Sequence, residues 1–266
     1  MASTHHVLIL GGSGQIARLL TPLLLQRSWT VTSIIRNPDQ IAGLQKLGEG
    51  ENLPGKLNVL VRSLEDVKSD AQAKQIIDEV GPDYVVWSAG AGGKGDPERT
   101  FTLDRDAAIH FIRASASTPS ITKFVMISFI TSRLSKPSWW TPAQWQAEQD
   151  GTLTKLARYY AAKVAADQAL YEASKQREDF AGICLRPSAL TNEPLGTSGV
   201  QLGRTDRASG TSSRASVALL TALLLENESV KTCWLDMLDG DEDPEKAVDR
   251  CVRDGVDCIE GEPYYP

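Results

Sequence analysis

The feature that most constrains the fold of this 266-residue chain is a short apolar run that ends in a glycine-rich turn. Val7-Leu8-Ile9-Leu10 predicts a buried strand, and apolar residues at helical spacing over 16–25 predict a helix soon after it. The segment that joins this strand to the helix and enters its first turn reads Gly11-Gly12-Ser13-Gly14-Gln15-Ile16-Ala17. Glycine permits a tight turn and close approach of a pyrophosphate, and the helix N terminus attracts phosphate. A strand, this loop and a helix together predict a dinucleotide-binding Rossmann unit.

The rest of the chain alternates strand-like and helix-like patterns. Apolar and β-branched runs predict strands over residues 29–35, 57–61, 84–87, 124–127, 182–185 and 233–235. Helical spacing predicts helices over residues 39–47, 71–80, 104–115, 156–173, 217–225 and 244–252. Such alternation predicts an α/β Rossmann fold: a doubly wound, mostly parallel sheet of about seven strands with helices on both faces.

We expect a single domain over residues 1–266, because no repeat, low-complexity tract or linker interrupts the pattern. Loops are predicted over residues 48–55 and 91–96. The connections lengthen after the fifth strand, around 135–151 and 190–212. These two segments are predicted substrate-side insertions, since binding residues concentrate on long connections of a rigid scaffold.

Charge and composition disfavour several classes of partner. The formal net charge is −6 and no basic run occurs, whereas nucleic-acid binding uses clustered Lys and Arg. No run approaches ~20 apolar residues, and no signal peptide is expected before the first strand. We therefore expect a cytoplasmic protein that acts on a small molecule. Four cysteines without a CxxC pair, and three histidines, predict free thiols and no metal site.

The end of the second predicted strand bears on the choice between two dinucleotides. An NAD site uses Asp or Glu there for the ribose 2′-hydroxyl, whereas an NADP site prefers Arg for the 2′-phosphate. In this chain Arg36 follows Ile34 and Ile35. Arg36 therefore favours NADP(H), and the nearby Asp39 keeps NAD(H) as the less favoured alternative.

Tyr159 and Lys163 have the spacing of a catalytic pair at the start of a predicted helix. Residues four apart share one face of a helix, so the phenol and the ammonium can point into one cleft. A nearby cation favours the phenolate and lowers the pKa of a tyrosine. The sequence thus predicts that Tyr159 exchanges a proton with a carbonyl or alcohol, and that Lys163 also holds ribose hydroxyls.

Several motifs along the chain carry a resemblance to a known family. They are the loop 11–17, Arg36-Asn37-Pro38, Ser88-Ala89-Gly90, the segments 124–128, 159–170 and 185–188, and the segment 213–218. Spread over nearly the whole chain, they resemble the short-chain dehydrogenase/reductase superfamily. The resemblance is to its atypical NAD(P)-binding branch, which includes NmrA-like and biliverdin-reductase-B-like proteins.

That resemblance implies a Rossmann core with NAD(P)H at the carboxyl ends of the strands and, often, hydride transfer. It implies that the pyrophosphate and adenosine contact Gly11, Gly12, Ser13, Gly14, Gln15, Ile16, Arg36, Ser63, Leu64, Ala89 and Gly90. It also implies that Tyr159 and Lys163 are the catalytic pair, with Lys163 on the cofactor. Pro187 and Ser188 are implied at the nicotinamide end.

Two positions depart from the family pattern. Where the family usually has an acidic residue after the third strand, this chain has Arg62-Ser63-Leu64, so the adenine amine loses an expected acceptor. The family also places a catalytic Ser or Thr after the fifth strand, often as the second of two. Here Ser128 is present, but Phe129 stands second. Ser128 is therefore the candidate third catalytic residue, with Thr131 as an alternative.

Three of the six tryptophans, Trp139, Trp140 and Trp145, lie between the fifth strand and the helix of Tyr159. One interpretation is an aromatic lid that covers a flat substrate and excludes water. The alternative is that these side chains pack their own segment onto the core.

The favoured hypothesis is an NADPH-dependent oxidoreductase acting on a small apolar or aromatic carbonyl compound. Tyr159 supplies the proton, Lys163 lowers its pKa, and Ser128 helps to bind the substrate oxygen. A non-catalytic NADP(H)-binding regulator or scaffold is the alternative, motivated by Phe129. An epimerase or dehydratase ranks lower, because the chain has no signal specific for a sugar nucleotide.

Overall fold

A central eight-stranded sheet organises the computed structural model, which describes residues 4–50, 53–92, 98–196 and 199–265. Its strand order is β3-β2-β1-β4-β5-β6-β10-β8, and β8 alone pairs antiparallel. Two further strands, β7 and β9, pair with each other in parallel. The strands are β1 (His6–Leu10), β2 (Thr30–Ile35), β3 (Lys56–Val61), β4 (Tyr84–Trp87), β5 (Lys123–Ile127), β6 (Ala181–Pro187), β7 (Ala189–Thr191), β8 (Gly199–Gly203), β9 (Thr211–Ser213) and β10 (Cys233–Gly240).

Helices cover both faces of this sheet. They are α1 (Gln15–Gln26), α2 (Ile41–Gln45), α3 (Asp70–Val80), α4 (Glu98–Thr100), α5 (Ala108–Ala116), α6 (Pro142–Ser174), α7 (Arg214–Glu226) and α8 (Pro244–Arg253). A π-helical segment, Phe101–Ala107, joins α4 to α5, and short 3-10 turns include Pro38–Gln40, Lys46–Gly48 and Leu64–Asp66. On one face α1 packs against α7, and on the other α5 packs between α3 and α6.

The central strands are buried because helices cover them on both sides. Every residue from Val7 to Leu10 is fully buried, with Val7 and Ile9 in one core cluster and Leu8 and Leu10 in the other. Continuous apolar runs of this kind are typical of parallel strands between two helical layers. The predicted doubly wound α/β fold is therefore confirmed, with eight strands in the main sheet instead of about seven.

The segment predicted as an insertion over 190–212 contains most of β7, the edge strand β8 and the start of β9. These strands have three to five residues and contain Gly, Ser and Thr, so they lack the apolar run that identifies a buried strand. Residues 197–198 of this segment lie outside the described residues, as do 51–52 and 93–96 of the other predicted loops.

The predicted insertion over 135–151 is helical in its second half, because α6 begins at Pro142. Thr141 and Gln144 form a capping box, and proline stands at the first helical position. The backbone departs from helical geometry at Leu156, with φ −129° and ψ 21°, where the predicted helix began. Of the helices in the described ranges, α6 included, none combines the length and apolar character that a membrane crossing requires.

A buried ion cluster ties the C-terminal segment to the sheet. Asp236 of β10 accepts from Nη2 of Arg133 at 2.7 Å and lies 3.6 Å from Nε of Arg186. Glu262 lies 3.9 Å from Arg133, and its Oε2 accepts the backbone N–H of Leu134. All four charged side chains have no exposed surface. The cluster thereby fixes the segment that follows β5, next to the groove described below.

Candidate functional site

A groove crosses the carboxyl ends of the parallel strands where the strand order changes direction between β1 and β4. Ligands of open α/β sheets bind at such a switch point. Two cavities of about 500 Å³ and about 310 Å³ open there, and both are lined by Gly14, Ser88, Ala89 and Gly90. We call the larger the Tyr159 cavity and the smaller the Arg36 cavity, after residues that line them.

Gly11 and Gly12 occupy positions that have no room for a side chain. Gly11 has φ +91°, and an added Cβ would lie 2.6 Å from Cα of Ala89. At Gly12 an added Cβ would lie 2.5 Å from Cβ of Ser33. Gly14 precedes α1 in an extended conformation, and no side chain of the described residues caps this helix. The first N–H groups of α1 are thus available to an anion in the groove.

Glu65 joins two arginines in the Arg36 cavity. Arg36 Nη1 donates to Oε1 of Glu65 at 2.7 Å, and Arg99 Nε donates to the same oxygen at 2.9 Å. The hydrogen bond from Arg99, with the nearby Arg36 charge, lowers the pKa of Glu65. The Arg36 side chain is 60% exposed, so Glu65 anchors one edge of its guanidinium and leaves the rest accessible.

An acidic residue, Glu65, lies one residue beyond the Arg62-Ser63-Leu64 segment, and the 3-10 turn Leu64–Asp66 brings it into the cavity wall. Its Oε1 accepts from Arg36 and Arg99, and the loss of an acceptor for the adenine amine stays a prediction. Leu64 also lines the cavity, whereas Ser63 is not among its described lining residues. The adjacent acids Glu65 and Asp66 were the sequence signal for a carboxyl group here, but only the tight turn brings Glu65 to the cavity.

Tyr159 and Lys163 lie one turn apart on α6, and both line the larger cavity. Lys163 Nζ donates to the carbonyl oxygen of Ile127 at 2.9 Å and lies 5.6 Å from the centre of the Tyr159 ring. The lysine is 2% exposed. The four-residue spacing thus brings phenol and ammonium into one cavity, beside the carboxyl end of β5.

Asp104 completes this group of polar side chains and was not predicted from the sequence. It lies on the π-helical segment, and its Oδ2 accepts the backbone N–H of Ala91 at 2.9 Å. Its Oδ1 lies 4.0 Å from Lys163 Nζ and accepts no hydrogen bond from the described residues. Burial raises the pKa of Asp104, and the Lys163 charge opposes that rise. A π-helical turn is frequent at functional sites and here directs this carboxyl into the cavity.

The pKa of Tyr159 is shifted upward, opposite to the predicted net direction. Burial in the cavity wall raises the pKa of Tyr159, and the carboxyl groups of Asp104 and Asp167 add to the rise. Lys163 lowers the same pKa, but its contribution is smaller than that of burial. The expectation of a lowered pKa for Tyr159 is therefore wrong, because the spacing of two residues does not reveal how deeply the phenol is buried.

Ser128 lines the Tyr159 cavity, but its hydroxyl donates a hydrogen bond to a buried carboxyl group. Its Oγ donates to Oδ2 of Asp167 at 2.5 Å, and Ser132 Oγ donates to the same oxygen at 2.8 Å. A donation from Ser128 to a substrate would therefore require this charge-assisted bond to break. Thr131 is fully buried and donates to Glu148 at 3.4 Å, and it is not among the described lining residues.

Pro187 and Ser188 lie at the end of β6 and beyond it, but neither is among the described residues that line the two cavities. Ser188 Oγ instead accepts the N–H of Gly210 at 3.2 Å. The neighbouring Leu190 and the distant Arg214 line the Tyr159 cavity. Arg214 was not predicted as a site residue, because α7 carries it into the cavity from far along the chain.

The three tryptophans pack their segment onto the core. Trp140 is buried and donates to the carbonyl oxygen of Thr205 at 3.2 Å, and its ring stacks on Trp145 at 6.4 Å. The rings of Trp139 and Trp140 each lie 5.2 Å from the guanidinium carbon of Arg133. Within the described residues, none of the three lines the Tyr159 cavity, so the packing alternative accounts for them.

Comparison with known proteins gives consistent matches over most of the chain. The model of a family described as NAD(P)H-binding matches residues 11–228. A Schizosaccharomyces pombe protein named UPF0659 protein C216.03 is 32% identical over 247 residues, which cover 90% of this chain and 92% of that protein. A Bacillus subtilis protein named as an uncharacterized sugar epimerase, YhfK, is 28% identical over 236 residues, covering 88% and 94%.

Solved structures share the fold at lower identity. A putative NAD-dependent epimerase/dehydratase from Bacillus halodurans has a TM-score of 0.73 at 23% identity, covering 92% of this chain and 99% of that one. The oxidoreductase ylbE from Lactococcus lactis has a TM-score of 0.69 at 18% identity, covering 98% and 100%.

Proposed function

Because this chain belongs to the NAD(P)H-binding family, within the atypical short-chain dehydrogenase/reductase superfamily that its sequence resembles, we propose that it is an NADPH-dependent oxidoreductase. It reduces, or forms by oxidation, a small carbonyl compound that is mainly apolar or aromatic. The observation that carries this proposal is the pair Tyr159 and Lys163 in a cavity continuous with the open glycine loop.

The residues of the groove suit a bound dinucleotide. Gly11 and Gly12 allow close backbone approach, and the uncapped N terminus of α1 offers N–H donors to a pyrophosphate. Leu64 and Ala89 would border the adenosine, and Arg36 would contact a 2′-phosphate. When bound, the nicotinamide would supply or accept the hydride.

Tyr159 would act as the general acid when a carbonyl compound is reduced. Its phenol lines the cavity and has no hydrogen-bond partner among the described residues, so it is available to an oxygen placed there. The raised pKa keeps the phenol protonated at neutral pH, which is the form that can donate. Lys163, held by Ile127 and close to Asp104, would stabilise the phenolate that remains after transfer.

The cavity walls suggest a mainly apolar substrate. Ile16, Ile127, Leu156 and Leu190 contribute apolar surface beside the polar group formed by Tyr159 and its neighbours. Apolar walls with a few convergent polar groups are typical of small-molecule sites.

The direct test is stopped-flow oxidation of NADPH against a panel of aldehydes and ketones. NADPH deuterated at the 4R position and, separately, at the 4S position identifies hydride transfer, because from one of the two the label moves to the carbonyl carbon, does not exchange with water, and is detected in the reduced product by mass spectrometry. We expect labelled product from at least one carbonyl class. Label lost to water, or no NADPH oxidation across the panel, would contradict the proposal.

The preference for NADPH over NADH has its own test at Arg36. Arg36→Gln should raise the Kd for NADPH about tenfold and leave that for NADH unchanged, because only NADPH has the 2′-phosphate. Glu65→Gln should tighten NADPH binding, because it removes a carboxylate that occupies Arg36 and repels phosphate. Fluorescence titration measures both constants. Arg27→Gln, in an ion pair with Glu226, is the control. Equal weakening of NADH and NADPH by Arg36→Gln would contradict the assignment.

An epimerase with an internal redox cycle is the second candidate, because similar proteins from Bacillus species are named as an epimerase and a putative epimerase/dehydratase. Such an enzyme returns the hydride to its substrate, so it retains its cofactor and consumes no NADPH. Absorbance at the NADPH band during turnover separates the two candidates. A non-catalytic regulator is less favoured, since it would not require Tyr159 and Lys163 in the cavity.

A further inference from the structure

Arg214 stands out among the charged residues of the Tyr159 cavity. It is the first residue of α7, it is half-buried, and it lines the cavity beside Leu190. Its Nη1 donates to the carbonyl oxygens of Leu190 at 3.2 Å and Thr191 at 3.0 Å, and to Oδ1 of Asn192 at 2.9 Å. One nitrogen is therefore anchored, while Nε and Nη2 have no hydrogen-bond partner among the described residues.

Arg214 also lacks a carboxylate partner within the described ranges, in contrast to the other cations of the groove. Arg36 and Arg99 share Glu65, and Lys163 lies 4.0 Å from Asp104. Desolvation of a charge is costly unless hydrogen bonds and an opposite charge offset it, and Arg214 has hydrogen bonds from Nη1 but no anionic partner among the described residues.

We propose that Arg214 binds a carboxylate on the substrate, so that the reaction takes carbonyl compounds that also carry an acid group. This inference rests on the proposed function for the identity of the reacting group, but not for the binding of the anion. A guanidinium presents two parallel N–H donors that match the two oxygens of a carboxylate. Anchoring of Nη1 by the end of β7 preorganises the remaining Nε and Nη2 edge, which lowers the entropy lost on binding.

Two other roles for Arg214 predict experimental results that differ from those of carboxylate binding. It could serve only to hold the end of β7, in which case no anion would bind to it. It could instead contact the cofactor pyrophosphate, because Gly14 and Gln15 line the same cavity. A test therefore has to separate binding of an organic anion from binding of the dinucleotide and from stability of the fold.

Benzoate and benzamide are suitable probes, since they match in size and shape and differ in charge. Each is titrated calorimetrically into the unaltered protein saturated with NADP+. We expect benzoate to bind at least about tenfold more tightly than benzamide, in a salt-dependent manner. This comparison needs neither a variant nor turnover, so it stands even if hydride transfer is not detected. The deuterium-label experiment tests the oxidoreductase function separately.

Arg214→Gln should abolish the preference for benzoate while benzamide and NADP+ bind as before. Arg204→Gln is the matched control, because Arg204 is exposed and already pairs with Glu260. Equal affinity for the two probes, or no benzoate binding, would overturn the proposal. So would a preference that persists in Arg214→Gln, or an Arg214→Gln protein that loses NADP+ affinity instead. Displacement of benzoate by inorganic phosphate at lower concentration would overturn the choice of a carboxylate.

Discussion

Replacement of Tyr159 by phenylalanine is expected to lower kcat for carbonyl reduction about 10²- to 10⁴-fold, because the substrate oxygen then loses its general acid. The Kd for NADPH should not change, since the hydroxyl is not assigned to cofactor binding. Single-turnover kinetics with deuterated NADPH isolates the chemical step from product release. A Tyr159→Phe enzyme with undiminished turnover would refute the assigned role.

Tyr160→Phe is the matched control for this experiment. Tyr160 adjoins Tyr159 on α6, but its hydroxyl donates to the carbonyl oxygen of Arg133 at 2.6 Å. Its removal should cost stability of about 1 kcal/mol and leave the chemical step intact. A comparable loss of kcat in both variants would point to a shift of α6 rather than to the phenol of Tyr159.

The raised pKa of Tyr159 also sets the pH dependence of each direction of reaction. Reduction requires the protonated phenol, and a raised pKa keeps that form populated through neutral and mildly alkaline pH. Oxidation of the alcohol requires the phenolate, so its rate should increase as pH rises toward the pKa. The alkaline branch of these profiles should disappear in Tyr159→Phe.

The second large effect is expected for stability and concerns Asp236. Asp236→Asn should lower the free energy of unfolding by about 3–5 kcal/mol, because it leaves the buried Arg133 and Arg186 without their shared carboxylate. For a chain of this size, such a loss lowers Tm by roughly 6–20 °C. Urea unfolding and thermal melting of the unaltered and variant proteins measure it.

Glu260→Gln provides a control, because it removes an ion pair with the same N–O distance as the Arg133–Asp236 pair. The Arg204–Glu260 pair and the Arg133–Asp236 pair both have N–O separations of 2.7 Å, but the first pair is about half exposed and the second fully buried. Glu260→Gln should therefore cost about 1 kcal/mol or less. Similar losses in the two variants would show that burial does not govern the strength of the Asp236 cluster.

The Asp236 variant should also disturb the site, because the cluster holds the segment after β5. Arg186 donates to the carbonyl oxygens of Ile130 and Ser132, both at 2.8 Å. Ser132 in turn shares Asp167 with Ser128 at the cavity wall. Loss of alignment of Arg186 is expected to raise KM for the carbonyl substrate more than the Kd for NADPH.

Local sequence was sufficient for the fold and for the residues whose positions depend on one element. The loop between β1 and α1 is specified by neighbours in the chain, since glycine at residues 11 and 12 satisfies a turn that has no room for Cβ. Tyr159 and Lys163 share a cavity because four residues make about one helical turn. Arg36 follows from the end of β2 in the same way.

Tertiary structure alone decided what surrounds these residues. Asp104 meets Lys163, and Arg214 enters the cavity of Tyr159, because separate elements converge at the carboxyl ends of the strands. The hydroxyl of Ser128 donates its hydrogen bond to Asp167 for the same reason. Burial, which depends on all neighbours at once, raises the pKa of Tyr159 despite Lys163. The sequence by itself determined the strand, loop and helix that form the predicted dinucleotide site. It also determined the spacing of Tyr159 and Lys163, because both features are set by contacts between residues close in the chain. The charges and proton partners around them arise from long-range packing.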